Sequence, residues 1–250
     1  MQPIRPFLVK LVGAMKGARM AIPERFKDRA HAGKLLAQRL SAYAHKPEVL
    51  VLALPRGGVP VGYAVAQALG VELDIMLVRK LGMPGHEEYA MGAVGAGGVR
   101  VIQSGLVEAG LVTLEAIEEA TERELGEIER RERLYRAGRP APRLSGRCVI
   151  LVDDGIATGA TLRAAIEVAR HSKVARLVVA APVGAPESVE ALAPEVDEMV
   201  CLATPFQFHA VSQWYRHFDQ TSDEEVQDLL ALAWREQAAR SQGKRDEPHH

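Results

Sequence analysis

Five short aliphatic runs limit what this chain can fold into more than anything else in it: 49–54, 72–78, Cys148–Val152, 177–181 and 198–202. Each has the length of a strand. Most are apolar at consecutive positions rather than at every second one, which is the pattern of a strand covered on both faces. Segments with helical spacing fall between and around them, over 26–44, 59–69, 161–170, 186–193 and 223–239. Strands that alternate with helices specify an α/β fold with a doubly wound, mainly parallel sheet. Right-handed crossovers then gather the loops that follow the strands along one edge, where such sheets bind ligands.

With 250 residues, 48% of them hydrophobic, the chain has apolar material for one domain of this kind. That domain is expected over 23–239. Residues 1–22 read as a flexible extension and 240–250 as a disordered tail. The apolar stretch at 7–15 is interrupted by Lys10 and Gly13, so neither a signal peptide nor a membrane span is expected. A long charged helix over 113–136 is inserted between the second and third runs. Thr113 is its candidate cap, Leu114, Ile117, Leu125 and Ile128 form its apolar stripe, and its charges read as a solvated face. A hairpin is expected to pair 90–94 with 99–103 around Gly97 and Gly98.

The net charge of -1 provides no general basic field, and aromatics make up only 5%, so no nucleic-acid partner is expected. The only two cysteines, Cys148 and Cys201, lie in or beside apolar runs and read as buried free thiols. A reducing cytoplasm is the matching compartment.

The run Cys148–Val152 leads into Asp153-Asp154-Gly155-Ile156-Ala157-Thr158-Gly159-Ala160-Thr161. Two adjacent carboxylates at a strand end repel each other unless hydroxyls or a cation lie between them. Gly155 and Gly159 permit a turn whose successive amides can cradle an anion, and the helix start at Thr161 adds free N–H groups. Thr158 and Thr161 add hydroxyl donors. Acceptors for hydroxyls, followed by donors for phosphate, describe a sugar phosphate. Neither a dinucleotide fingerprint nor a P-loop fits, because the glycine spacing is Gly155-x3-Gly159 and Ala160 stands where a lysine would be needed.

Three further loops bear on the site. Arg56 with Gly57 and Gly58, after the first run, joins positive charge to close backbone approach. Arg79 and Lys80 enter a Gly/Pro-punctuated stretch that ends in His86, Glu87 and Glu88. Beyond the last run, Phe206, Phe208 and Trp214 are candidates to stack on a flat ring, or else form a small satellite core.

The string Asp153–Thr161, with the loops around it, resembles the signature of the type I phosphoribosyltransferases, and the wider likeness covers about 26–230. The resemblance implies the type I fold, with a small hood at about 203–221. It implies binding of 5-phosphoribosyl 1-pyrophosphate (PRPP). Asp153 and Asp154 would hold the ribose hydroxyls, Ala157, Thr158, Gly159, Ala160 and Thr161 would wrap the 5-phosphate, and Gly155 would belong to the same PRPP-binding turn. Arg56, Gly57 and Gly58 would meet the pyrophosphate, with a cis bond expected at Pro55–Arg56. The segment 79–89 would be a mobile catalytic loop in which Arg79 and Lys80 act beside Arg56. Ile156, Phe206, Phe208 and Trp214 would face a small heterocyclic acceptor. Mg2+ would be held mainly by PRPP and water near Asp153 and Asp154, with no direct protein ligand. A homodimer is implied as well.

The implied reaction is transfer of the phosphoribosyl group to a nitrogenous acceptor, with release of pyrophosphate. A PRPP- or nucleotide-sensing regulator on the same fold is the alternative, and transfer to water is a third reading. Relatives acting on 6-oxopurines usually carry aspartate where Ala157 stands, so the resemblance turns away from hypoxanthine and guanine.

Overall fold

The computed structural model describes residues 8–11 and 24–243, with side chains not described at 8–11, 87, 88, 241 and 243. Of the expected disordered tail, residues 240–243 continue the last helix, and the remainder, like most of the expected flexible extension, lies outside these residues. The main sheet contains β1 (Leu8–Leu11), β2 (Val49–Ala53), β3 (Glu72–Ile75), β7 (Cys148–Val152), β8 (Arg176–Val183) and β9 (Glu198–Ala203) in the order β1-β9-β8-β7-β2-β3. Every neighbouring pair is parallel. The edge strand β1 falls within the stretch that the sequence leaves as an extension.

The two faces of the sheet read directly from alternate residues. Val49, Val51, Ala53, Ile150, Val152, Val178 and Ala180 face one core, which also takes residues of α1 (Arg29–Arg39), α2 (Gly58–Leu69) and α6 (Asp223–Gly243). Leu50, Leu52, Val149, Leu151, Leu177, Val179 and Ala181 face the other, under α4 (Ala160–His171) and α5 (Pro186–Leu192). Consecutive apolar residues are needed because both faces are dry. Both thiols are buried, and burial pushes Cys201 up to about 12.

A second, antiparallel sheet is built from β4 (Val78–Met83), β5 (His86–Gly95) and β6 (Val99–Ile102) in sequence order. The expected hairpin is therefore the distal half of a three-stranded arm. The segment read as a loop over 79–89 is mostly its proximal hairpin, with Val78 paired to Gly95 and Met83 to His86. Punctuation by Gly82, Pro84 and Gly85 suggested irregular chain, but only 84–85 form the turn. A break at Met76 and Leu77 separates this arm from β3, so the second run supplies β3 and only the first residue of β4.

Helix α1 also begins later than its apolar spacing suggests. Asp28 accepts from the His31 amide at 2.7 Å and caps the helix there, leaving Phe26 to bridge with Tyr215. The long helix α3 (Leu114–Arg136) is capped by Thr113 as expected and packs on β4, β5 and α6. Ile117 and Ile128 are buried, but Leu114 at its first turn stands 64% exposed, beyond the reach of the arm.

The charged surface of α3 is not wholly solvated. Arg136 is buried with Asp74 of β3, the Nη1 atom 2.7 Å from Oδ1, while Nη2 donates to the Ile75 carbonyl at 3.1 Å. Burial pushes the Asp74 carboxyl above its ordinary range despite the guanidinium. The pair ties the inserted helix to the edge strand of the main sheet. Replacing Asp74 by Asn leaves the buried Arg136 with only Glu132, whose Oε1 is 3.5 Å from Nε, and should cost up to about 3–5 kcal/mol in denaturant unfolding, whereas the double change D74N/R136M should recover much of that loss.

Candidate functional site

Strand β7 lies third from one end of the sheet and delivers Asp153 and Asp154 at its carboxyl edge. The two side chains are half-buried. Asp153 Oδ1 accepts from the Asp154 amide at 2.9 Å, which closes the first step of the turn. Arg29 Nε donates to Asp154 Oδ2 at 2.8 Å, and the Tyr215 hydroxyl donates to the Asp154 carbonyl at 2.6 Å. Desolvation raises both carboxyls above their ordinary range. Repulsion from Asp154 adds to the rise at Asp153, while the Arg29 guanidinium counters it at Asp154. The pair therefore sits in the folded protein at an electrostatic cost, a familiar sign of a working site.

The middle of the loop is anchored rather than open. The Ile156 amide donates to Val183 O at 2.9 Å, and the Ala185 amide donates to Ile156 O at 2.8 Å. The Ile156 side chain is 1% exposed and packs in the core beside α4. Expected to face an acceptor, it instead pins the turn from below, because the bridge to Gly184 directs it inward. Gly159 has a φ of 73° and turns the chain into α4. Among the described residues, the amides of Ala157, Thr158 and Gly159 donate to no backbone carbonyl, while Ser188 Oγ takes up the Ala157 carbonyl at 2.6 Å. Such amides at a helix start, with Thr158 and Thr161 beside them, are the donors that an anion cradle requires.

Strand β2 places its own loop next to this one. The Pro55–Arg56 bond is cis, as the resemblance implies. Gly57 presses against the carboxylate, so that an added Cβ would lie 2.1 Å from Asp154 Oδ2. A cleft of about 350 Å³ is lined by Arg29, Arg56, Gly57, Asp154, Phe218 and Thr221, with Gln220 at its rim. Arg56 is half-exposed there, with Nη1 3.7 Å from Asp223 Oδ1.

A larger cleft of about 500 Å³ opens beside it. It runs from Leu54 and Pro55 past Arg79 and Lys80 to Ala160 and Thr161 at the start of α4. The chain thus brings the cations of the second loop to the far end of the Asp153–Thr161 turn. It also adds Arg123, Glu124 and Arg131 of α3, which sequence reasoning assigned to a solvated face.

The expected aromatic face is not assembled. Phe206 stands 96% exposed, and neither Phe208 nor Trp214 lines either cleft. Phe208 and Trp214 pack against the first core, which is the satellite-core arrangement. The hood is instead tied to the domain by short backbone links, from the Phe26 amide to Trp214 O at 2.8 Å and from the Arg216 amide to Phe26 O at 2.8 Å. Its inward ring is Phe218, over which the Arg29 guanidinium lies 3.9 Å from the centroid. Arg29, Tyr215 and Phe218 were missed because nothing local marks them: Arg29 is 125 residues from the carboxylate it holds. His86 is exposed, edge-on to Tyr89. The side chains of Glu87 and Glu88 lie outside the described set.

The family model described as "Phosphoribosyl transferase domain" matches residues 24–213. A curated protein of Mycobacterium tuberculosis (strain H37Rv), named "Putative phosphoribosyl transferase Rv0571c", is 47% identical over 211 residues, which are 84% of this chain and 47% of that protein. The chain thus spans about half the length of the curated relatives it matches. The crystal structure of TT1426 from Thermus thermophilus aligns with a TM-score of 0.77 at 43% identity, over 83% of this chain and 98% of that one.

Because Asp153 holds its proton more tightly folded than unfolded, it favours the fold below the ordinary carboxylate pKa, and this contribution fades as pH rises. Asp153→Asn should therefore raise the melting temperature by about 2–4 °C or more near pH 8, and change it little near pH 4. Thermal scans at the two pH values check this. Gly57→Ala should displace the Asp154 carboxylate from Arg29, visible as a lost 2.8 Å contact in a crystal structure of the variant.

Proposed function

Since the chain belongs to the type I phosphoribosyltransferase family, we propose that it moves a 5-phosphoribosyl group from PRPP to a nitrogenous heterocycle and releases pyrophosphate. One observation carries the reading. Two electrostatically costly carboxylates and a row of amides without backbone partners stand at opposite ends of the same turn, Asp153 to Thr161. A ribose 5-phosphate offers hydroxyl donors and a phosphate at matching ends.

In this reading Asp153 and Asp154 accept from the two ribose hydroxyls. Arg29 and Tyr215 fix Asp154 from behind, so its orientation is set before binding. The amides of 157–161 and the threonine hydroxyls hold the 5-phosphate, which leaves the anomeric carbon facing Arg56 and the arm. The bond from that carbon to pyrophosphate breaks as positive charge builds on the ribose ring and negative charge on the leaving group. The acceptor nitrogen then bonds to the carbon and loses its proton. Arg56, Arg79 and Lys80 supply fixed positive charge where the negative charge grows, which is the largest contribution protein groups make to such a step. The arm can shield the reacting carbon from water.

A magnesium ion fits the donor set here. Mg2+ would be held mainly by oxygens of PRPP and water near Asp153 and Asp154, with no direct protein ligand. Such an ion would neutralise charge on pyrophosphate.

Adenine- or uracil-like acceptors fit Ala157 better than 6-oxopurines do. A homodimer acting in the cytoplasm completes the proposal. No helix among the described residues is long and apolar enough to cross a membrane.

Calorimetry with PRPP and Mg2+ tests the carboxylates. The double variant D153N/D154N should bind at least about a hundredfold more weakly, since two charge-assisted hydrogen bonds are each worth about 1.5–3 kcal/mol. Unchanged affinity would sink the assignment. Pyrophosphate release measured across a panel of nucleobases should rise with at least one of them. Tight binding without release would point to the sensing role, and release without a base to hydrolysis.

A further inference from the structure

The larger cleft has a wall that the proposed reaction does not yet use. Helix α3 contributes Arg123, Glu124 and Arg131 to it, and the same cleft takes in Thr161, Arg79 and Lys80. Among the described residues, the cations Arg79, Lys80, Arg123 and Arg131 outnumber the carboxylate Glu124 around a space of about 500 Å³. Such an imbalance beside a helix N-terminus draws a multiply charged anion.

The single carboxylate is arranged in a telling way. Glu124 is only 13% exposed and takes Nε of Arg79 at 2.8 Å and Nε of Arg123 at 3.1 Å. Burial pushes its carboxyl up, but the hydrogen bonds from Arg79 and Arg123 outweigh this and hold it below the ordinary carboxylate range. Glu124 is thus an internal anion occupying two arginines in the protein without ligand. Arg131 is engaged along the helix by Glu127 at 2.7 Å. Arg133, by contrast, does not line the cleft and is 73% exposed.

Resting on the proposed reaction, we propose that Arg123 and Arg131 of the inserted helix are further binding residues for the pyrophosphate group, and that Glu124 is the built-in counterion which pyrophosphate displaces from Arg79. The helix is then part of the active site rather than a solvated appendage. Its fixed position follows from the buried Arg136–Asp74 pair, which holds its last turn to β3.

The test is pyrophosphate with Mg2+, titrated into the full chain by calorimetry. R123Q/R131Q should weaken binding roughly tenfold or more, as each exposed charge contact contributes about two- to fivefold. R123K/R131K should recover most of that affinity. Arg133→Gln, which loses a charge on the same helix away from the cleft, should stay within about twofold of the parent. Glu124→Gln should tighten binding about threefold by releasing Arg79. Matching melting temperatures would confirm that each variant is folded.

Equal losses for R123Q/R131Q and Arg133→Gln would reduce the effect to general charge and overturn the inference, as would an intact protein that does not bind pyrophosphate. The underlying reading fails separately. If D153N/D154N binds PRPP as the parent does, the reaction assignment falls. If that variant loses PRPP while R123Q/R131Q does not weaken pyrophosphate, only the role of α3 falls.

Discussion

Two carboxylates share the carboxyl end of one buried strand, and most of what surrounds that strand end is arranged to tolerate them. Burial and mutual repulsion oppose ionisation of Asp153 and Asp154. The fold answers with one cation on one of the two, Arg29, and with a tyrosine hydroxyl on the backbone carbonyl between them and the turn. Burial pushes the Tyr215 hydroxyl upward, so it remains a neutral donor at any ordinary pH. The hood contributes to both: its Tyr215 bridges to Phe26, and its Phe218 lies under the guanidinium of Arg29, which comes from α1. Asp153 is held by no such direct ion pair among the described residues. The remaining imbalance is what a sugar's hydroxyls, with a metal ion, would relieve.

A second consequence is the crowding of the neighbouring strand end. The loop after β2 must approach Asp154 so closely that even a methyl group at Gly57 would collide with the carboxylate. The Arg56 side chain, next in the same loop, lies with Nη1 3.7 Å from Asp223 Oδ1. The two clefts that flank this contact differ in character. The smaller combines two arginines with a carboxylate and an aromatic ring, and the larger is dominated by cations.

Strands β2, β3, β7, β8 and β9 of the main sheet were legible in the sequence because both of its faces are dry, whereas the edge strand β1 was not. Runs such as Cys148–Val152 had to be apolar throughout, and no helix boundary is needed to recognise them. The turn proposed to bind phosphate was legible as a candidate because what it offers is local: its carboxylates, glycines and hydroxyls fall within one short stretch, Asp153–Thr161. Contacts made across the chain left no such mark. Arg29 sits in an ordinary first helical turn, and Phe218 among polar residues. Glu124 was one of many alternating charges on α3, and only the packing of that helix against β4 distinguishes it from Glu129, which is solvated. Phe206 and Trp214 show the opposite failure. Their aromatic character suggested a stacking role, but one projects into solvent and the other packs on the core. Helix α1 was read too long because its apolar period continues backward into Phe26, and only the bond from the His31 amide to Asp28 fixes its start.

The arm of β4, β5 and β6 has its own ladder of hydrogen bonds, and the central sheet has another. Among the described residues the two ladders share no rung. A cover built this way can tilt as one stiff leaf, because its internal rungs and those of the parallel sheet are independent. Such a tilt is opposed by side-chain packing against α3 and α4, including the close seat of Gly95 on Val168. Those weak, divisible contacts, and not the backbone, would set how readily the leaf opens.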